Sequence, residues 1–142
     1  MRRVQFIELH EQPWFPSFLR NEITDALQFG LNLLKAYAPI APLLQSVLHS
    51  TRSRSIVDLC SGGGGPWLSL SRKLQEDARV FHILLTDKYP NLRAFQGART
   101  ASENHVVFYR DSVDAMKVCR ELHGFRTMFT SFHQFPPEEA RA

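Results

Sequence analysis

Ser55-Ile56-Val57-Asp58-Leu59-Cys60-Ser61-Gly62-Gly63-Gly64-Gly65-Pro66-Trp67 decides how this chain is read. Ile56, Val57 and Leu59 make a short apolar run bounded by turn residues, the pattern of a strand covered on both faces. Consecutive glycines follow, and they admit backbone conformations that a β-carbon forbids. Pro66 suits a first helical position, where a missing N–H costs nothing. Trp67, Leu68, Leu70 and Leu74 then supply an apolar helix face. A strand, a glycine turn and a helix in an open α/β sheet place a ligand at the carboxyl end of the strand. With no β-carbons in the way, the ligand is expected to approach the turn directly.

The residues around the turn narrow the ligand. No Gly-Lys-Ser/Thr follows, so this is not a P-loop. A GxGxxG dinucleotide fingerprint is met at Gly62 and Gly64, but its third glycine is Trp67, where close helix–strand packing asks for no side chain. Asp58 is the sharper sign. A carboxylate ahead of the turn repels a pyrophosphate and attracts an ammonium or sulfonium group.

Downstream, Ala78–Asp87 reads as a second strand, nearly continuous in apolar residues toward its end. Asp87 lies 23 residues after Gly64 (87 − 64). An acid at that strand tip accepts hydrogen bonds from ribose hydroxyls, or else it caps the helix expected from Pro90 to Ala101. Tyr89 suits an adenine ring or the core. His105–Tyr109 reads as a third strand, followed by Asp111 and Ser112. Either of these residues also suits the cap of a helix expected over Val113–His123, with Gly124 as its stop. Phe125–Phe132 reads as a fourth strand, and His133–Ala140 as the opening of another helix. His133 is a candidate base, or one wall of an aromatic pocket.

Asp58-Leu59-Cys60-Ser61-Gly62-Gly63-Gly64 resembles the first motif of class I S-adenosylmethionine-dependent methyltransferases, an acid followed by alternating glycines. Cys60 stands where the first of those glycines falls; Gly62 and Gly64 match the other two. Asp87, Asp111 and the segment from Thr130 to Phe135 extend the resemblance over the last two-thirds of the chain. The resemblance implies S-adenosyl-L-methionine as cofactor. Its methionine end would lie at Asp58, Cys60, Ser61, Gly62, Gly63, Gly64 and Thr130, its ribose at Asp87 and Lys88, and its adenine at Asp111 and Ser112. It implies methyl transfer to an unidentified small-molecule acceptor, which Trp14 and His133 would touch, and no metal. The rival enzyme is an NAD-dependent oxidoreductase on the same sheet; the rival outside catalysis is a binding module of that fold.

The N-terminal third reads as a helical cap. Pro13-Trp14-Phe15-Pro16 makes an aromatic turn, either anchored on the core or lying over the ligand. Ile23, Leu27, Leu31 and Leu34 recur at helical spacing, so a helix is expected over residues 21–38, capped by Asn21 or Thr24 and ended before Pro39. A second is expected from Leu43 to His49. The division is therefore a cap or lid over residues 1–52 and a Rossmann-like α/β unit over 53–142. Its parallel strands take the order 3-2-1-4 by crossover handedness. A class I sheet has seven strands and this sequence supplies four. The expectation is the cofactor-binding half of a longer protein, with strand four an edge open to self-association.

The chain has 142 residues, 44% hydrophobic and 22% charged, with a net charge of +3. That balance suits one globular domain. Its arginines are scattered, so nucleic acid is not implied. Cys60 and Cys119 fall inside α/β elements and read as free thiols in a reducing, cytoplasmic setting. No apolar run is long enough to span a membrane, and no secretory leader follows Met1-Arg2-Arg3.

Overall fold

Ser55–Leu59 is the central strand, β1, of an all-parallel sheet. The computed structural model describes residues 9–75, 81–138 and 140. Strands β2 (His82–Leu85) and β4 (Phe125–Met128) pair with β1 on either side, and β3 (Val106–Phe108) pairs with β2. The order is β3-β2-β1-β4, as the crossover argument expects. Ile56, Ile83, Val106 and Phe125 lie in register and share one sheet face. Helices α2 (Ile40–Ser50), α3 (Trp67–Gln75) and α4 (Leu92–Ala101) bring Leu44, Leu48, Trp67, Leu70, Leu74 and Phe95 against that face in one buried cluster. Each such large side chain contributes about 1.5–3 kcal/mol by leaving water. The second N-terminal helix is thus part of the core.

Several elements differ from the sequence expectation. Helix α1 spans Ser17–Leu33, not 21–38. Pro16 stands at its N-cap, so neither Asn21 nor Thr24 caps it. It stops because Lys35 takes a left-handed φ of 50°, and Ala36 N–H donates back to Leu31 O at 3.1 Å. That is a Schellman closure, completed before Pro39 is reached. Its leucine stripe does not enter the core: Leu27 is 54% exposed and Leu34 77%. Helix α2 begins three residues earlier than expected, at Ile40. Helix α4 is capped by Asn91, whose side chain accepts from Ala94 N–H, and Asp87 is released from that role. Residues 76–80, where the second strand was expected to begin, lie outside the described residues.

The helix expected over Val113–His123 does not form; the segment runs as successive turns. Val113 is buried, but Met116 is 40% exposed and Cys119 is exposed, so no continuous apolar stripe docks on the core. Helices in proteins draw most of their stability from such docking. Asp114 instead closes a local turn, its carboxylate accepting Met116 N–H at 2.9 Å. Gly124 is therefore not a helix stop. It lies against β1, where an added β-carbon would come within 2.9 Å of Ser55 O. Strand β4 ends at Met128, and among the described residues a 3-10 turn, Phe132–Gln134, stands where the C-terminal helix was expected to open. The strand keeps β1 as its neighbour and forms a sheet edge.

Helix α1 lies across the glycine turn. A β-carbon on Gly63 would sit 2.6 Å from Gln28 Oε1 and 2.9 Å from Thr24 O, a backbone atom of α1. Asn32 reinforces the contact: its Nδ2 donates to Gly65 O at 3.3 Å, and its Oδ1 accepts from Ser69 Oγ at 3.2 Å. Asn91 Nδ2 donates to Asp25 at 2.8 Å, and Arg93 bridges Glu22 and Asp25. Gly63→Ala is therefore expected to destabilise the fold by about 1–3 kcal/mol, because α1 cannot stay seated. Gly97→Ala, inside α4 with nothing within 4 Å, should stabilise it by about 1 kcal/mol. Chemical denaturation of the two variants checks the contrast.

Candidate functional site

Above the carboxyl ends of β1, β2 and β4 is a cavity of about 1300 Å³. Its floor is the glycine turn, its roof is α1, and its sides are Asp87–Tyr89, Asp114–Lys117 and Phe129–Phe135. Strand ends open here because each parallel strand must turn back across the sheet, leaving its last carbonyls and side chains facing the same space.

Asp58 sits at the base. Register places it beside Thr127 of β4, on the same sheet face. Thr127 Oγ1 donates to its Oδ1 at 2.7 Å, and Ser61 Oγ donates to its Oδ2 at 2.8 Å. Its main-chain oxygen accepts from Thr86 N–H at 2.9 Å and from Thr86 Oγ1 at 2.8 Å. The residue is 1% exposed. Burial pushes its carboxyl from 3.8 up to about 6, against the pull of the Thr127 and Ser61 hydroxyls and the Trp67 indole N–H; the nearby charge of Asp87 adds to the rise. The indole N–H makes no hydrogen bond of ordinary geometry, so its help is that of a nearby dipole.

The turn above Asp58 is internally bonded. Ser61 N–H donates to Thr86 O at 2.9 Å, Gly64 N–H to Ser61 O at 2.7 Å, and Gly62 N–H to Asp87 Oδ2 at 2.7 Å. Asp87 Oδ1 also accepts from Tyr89 N–H at 2.8 Å. The carboxylate at the tip of β2 therefore reaches over and holds the turn of β1. Cys60 occupies the first glycine position of the motif with φ 56°, the left-handed conformation that glycine adopts without strain. The backbone keeps the glycine geometry although the side chain is present.

Thr130, one residue beyond Phe129 on the β4 side, also has a positive φ of 62°. A β-branched residue there is a strained outlier, of a kind that gathers at binding sites. Its hydroxyl donates to Phe129 O at 2.7 Å and lies against the Tyr37 hydroxyl, whose pKa burial raises. Phe129 stacks edge-on against both Tyr37, at 5.1 Å, and Trp67, at 5.6 Å. On the opposite side Arg20, buried within α1, donates to the carbonyls of His10, Gln12 and Phe15. Its guanidinium lies 4.0 Å from the Tyr89 ring centroid. One side chain thus ties the N-terminal arm, α1 and the tip of β2 together.

Of the residues singled out from sequence, Asp58, Cys60, Ser61, Gly62, Gly63, Asp87, Lys88, Thr130 and His133 line this cavity. Gly64, Asp111, Ser112 and Trp14 do not. Asp111 is exposed, Ser112 Oγ donates to Lys88 O at 2.7 Å, and Trp14 is 68% exposed. His10 and Gln12 represent the arm in the cavity, and Asp114 represents the loop after β3. The sequence expectations place none of Arg20, Thr24, Gln28, Tyr37, Asp114 and Phe129 in the ligand site, and the leucine stripe of α1 is their one signal. No protein-family model matches this chain, and no curated protein or solved structure matches it either.

Asp58 binds its proton more tightly folded than unfolded. Its contribution to stability is complete below about pH 4 and is lost as pH rises through about 6, on the order of 3 kcal/mol. Subtracting the stability of Asp58→Asn from that of the wild type at each pH isolates this term. The difference should fall between about pH 4 and pH 6 and level off above that; a flat line throughout would contradict the buried, raised carboxyl.

Proposed function

We propose that this cavity binds S-adenosylmethionine and that the chain is the cofactor-binding portion of a Rossmann-like, class I-type methyltransferase. The observation that carries the reading is the hydrogen bond from Gly62 N–H to Asp87 Oδ2. It commits a turn amide that a pyrophosphate would need and lays a negative charge beside it. Asp58 beneath and Asp114 across the cavity add two more carboxyls. Such a floor favours a cationic, phosphate-free adenosyl compound over a dinucleotide.

The residues present fit that group. Asp58, largely ionised at neutral pH, would attract the ammonium of the methionine end through the turn, while its hydroxyl partners keep it in place. The amides of Ser61, Gly62 and Gly64 are already bonded, so they hold the shape of the turn and are not the principal donors to the ligand. Asp87 would accept from the ribose hydroxyls with its remaining lone pairs. Asp114, and not Asp111, is the acid placed to meet the adenine edge. When bound, the cofactor supplies a methyl group on a sulfonium, already activated toward a nucleophile. The chain then contributes position and exclusion of water, α1 closing the roof and Thr130 fixing the wall near His133.

Isothermal titration calorimetry with S-adenosylhomocysteine and with NADH tests the assignment. Saturable heat is expected from the first and none from the second. Asp87→Asn should weaken the first by about 10–100-fold, the scale of charge-assisted hydrogen bonds. Because the site needs Asp58 ionised, affinity should be level above pH 7 and decline as pH drops through about 6. Binding of NADH alone would overturn the reading.

A further inference from the structure

Helix α1 presents Ile23, Leu27 and Leu31 to the cavity, one face of the helix at spacings of four residues. Tyr37, Phe129 and Phe135 contribute to the same lining from other parts of the chain. Ile23 and Leu27 are 44% and 54% exposed, so the described residues leave about half of each uncovered. None of the six carries a charge; Arg20, Asp58, Asp87, Lys88, Asp114 and Lys117 supply charge to the same lining, and that of Asp58 reaches the Tyr37 hydroxyl. The cavity, at about 1300 Å³, also exceeds the roughly 300–1,000 Å³ that holds one small ligand. It has room for two occupants of different chemistry. Polar groups among these side chains include the hydroxyls of Tyr37 and Thr130, which lie against each other and are uncharged, burial raising the pKa of the phenol.

We infer that this apolar end is the acceptor pocket, and that it takes a neutral aromatic molecule bearing one hydroxyl. The rings of Phe129 and Tyr37 meet edge to face at 76°, a pairing that a third aromatic ring extends favourably. The Tyr37–Thr130 hydroxyl pair can donate to and accept from the ligand's own hydroxyl. An anionic ligand would lose its hydration against Leu27 and Leu31, and Arg20, the cation that α1 brings to the lining, is already engaged by the carbonyls of His10, Gln12 and Phe15. The inference rests on the methyltransferase reading for its biological sense, but the pocket can be tested separately.

The probe is 2-naphthol, titrated into the purified chain by fluorescence with and without saturating S-adenosylhomocysteine; 2-naphthoate is the charged comparison. Saturable naphthol binding is expected, with naphthoate weaker by about tenfold or more. The double variant Leu27→Asn, Leu31→Asn should lose about tenfold or more in naphthol affinity, while S-adenosylhomocysteine binding stays unchanged. Phe29→Asn, on the outer side of α1 and 71% exposed, should leave both intact. S-adenosylhomocysteine binding without naphthol binding would overturn the acceptor pocket and spare the cofactor assignment. Naphthol binding that depends on Leu27 and Leu31, with no S-adenosylhomocysteine binding, would uphold the pocket and overturn the cofactor. Loss of naphthol in Phe29→Asn, or naphthoate binding as well as naphthol, would also refute the inference.

Discussion

A single carboxyl fastens the carboxyl-terminal edge of the sheet. Asp58 ends β1, receives hydroxyls from β4 and from the glycine turn, and lies under the first residue of α3. Parallel strands carry no hairpins, so the ends of β1 and β4 are not held together by chain connectivity. The Asp58–Thr127 bond performs that function from the side-chain layer. The arrangement is expensive at neutral pH, where a buried anion must be kept charged. Thr127 and Ser61 offset part of that cost, and the carboxyl still sits near 6. A chain selected for stability alone would place an apolar residue here.

The glycines divide their tasks. Gly64 takes a φ of 101°, which a side chain rarely permits, and so shapes the turn. Gly63 serves a different end: its missing β-carbon lets the backbone of α1 come down on the turn. The pocket is therefore built by two close approaches, Asp87 to Gly62 from one side and α1 to Gly63 from above. The second leaves no room for a β-carbon, whereas at Gly62 the constraint is its left-handed φ of 51°. The helix that roofs the cavity is held by polar bonds at Asp25, Asn32 and Arg20, with its leucines facing inward to open space. Such a helix is fastened at its ends and along one polar edge, while its apolar face is left for something else to cover.

The parts legible in the sequence were those governed by local rules. The strand–turn–helix unit, Pro66 ahead of α3, the strand order and the placement of Asp58 and Asp87 at strand tips all follow from patterns within a few residues. The failures share one cause. Helical spacing in Val113–His123 and in the α1 stripe was read as a face to be buried, but spacing does not say against what. In the first case only Val113 found a surface to receive it, and turns formed around Asp114. In the second the face met a cavity. Asp111 was placed in the site by its position after β3, yet the turn closed by Asp114 carries the cavity-facing acid three residues on. The contact between Gly63 and Thr24 joins residues far apart in the chain, and no local pattern reports it.

Among the described residues, six other than glycine have a positive φ, and their distribution separates ordinary turns from strained ones. Lys35 and Arg52 close the ends of α1 and α2, and Glu103 and Asn104 the end of α4, where a left-handed residue satisfies helix carbonyls. Cys60 and Thr130 close no helix. They follow β1 and β4, line the same cavity, and lie near Asp58, whose carboxyl pKa is driven upward by burial. Strain and a perturbed acid each cost stability, and nothing in the packing of the core requires either. Their coincidence on one wall, beneath a helix with uncovered leucines, argues that this end of the sheet is shaped by what it holds and not by the needs of folding.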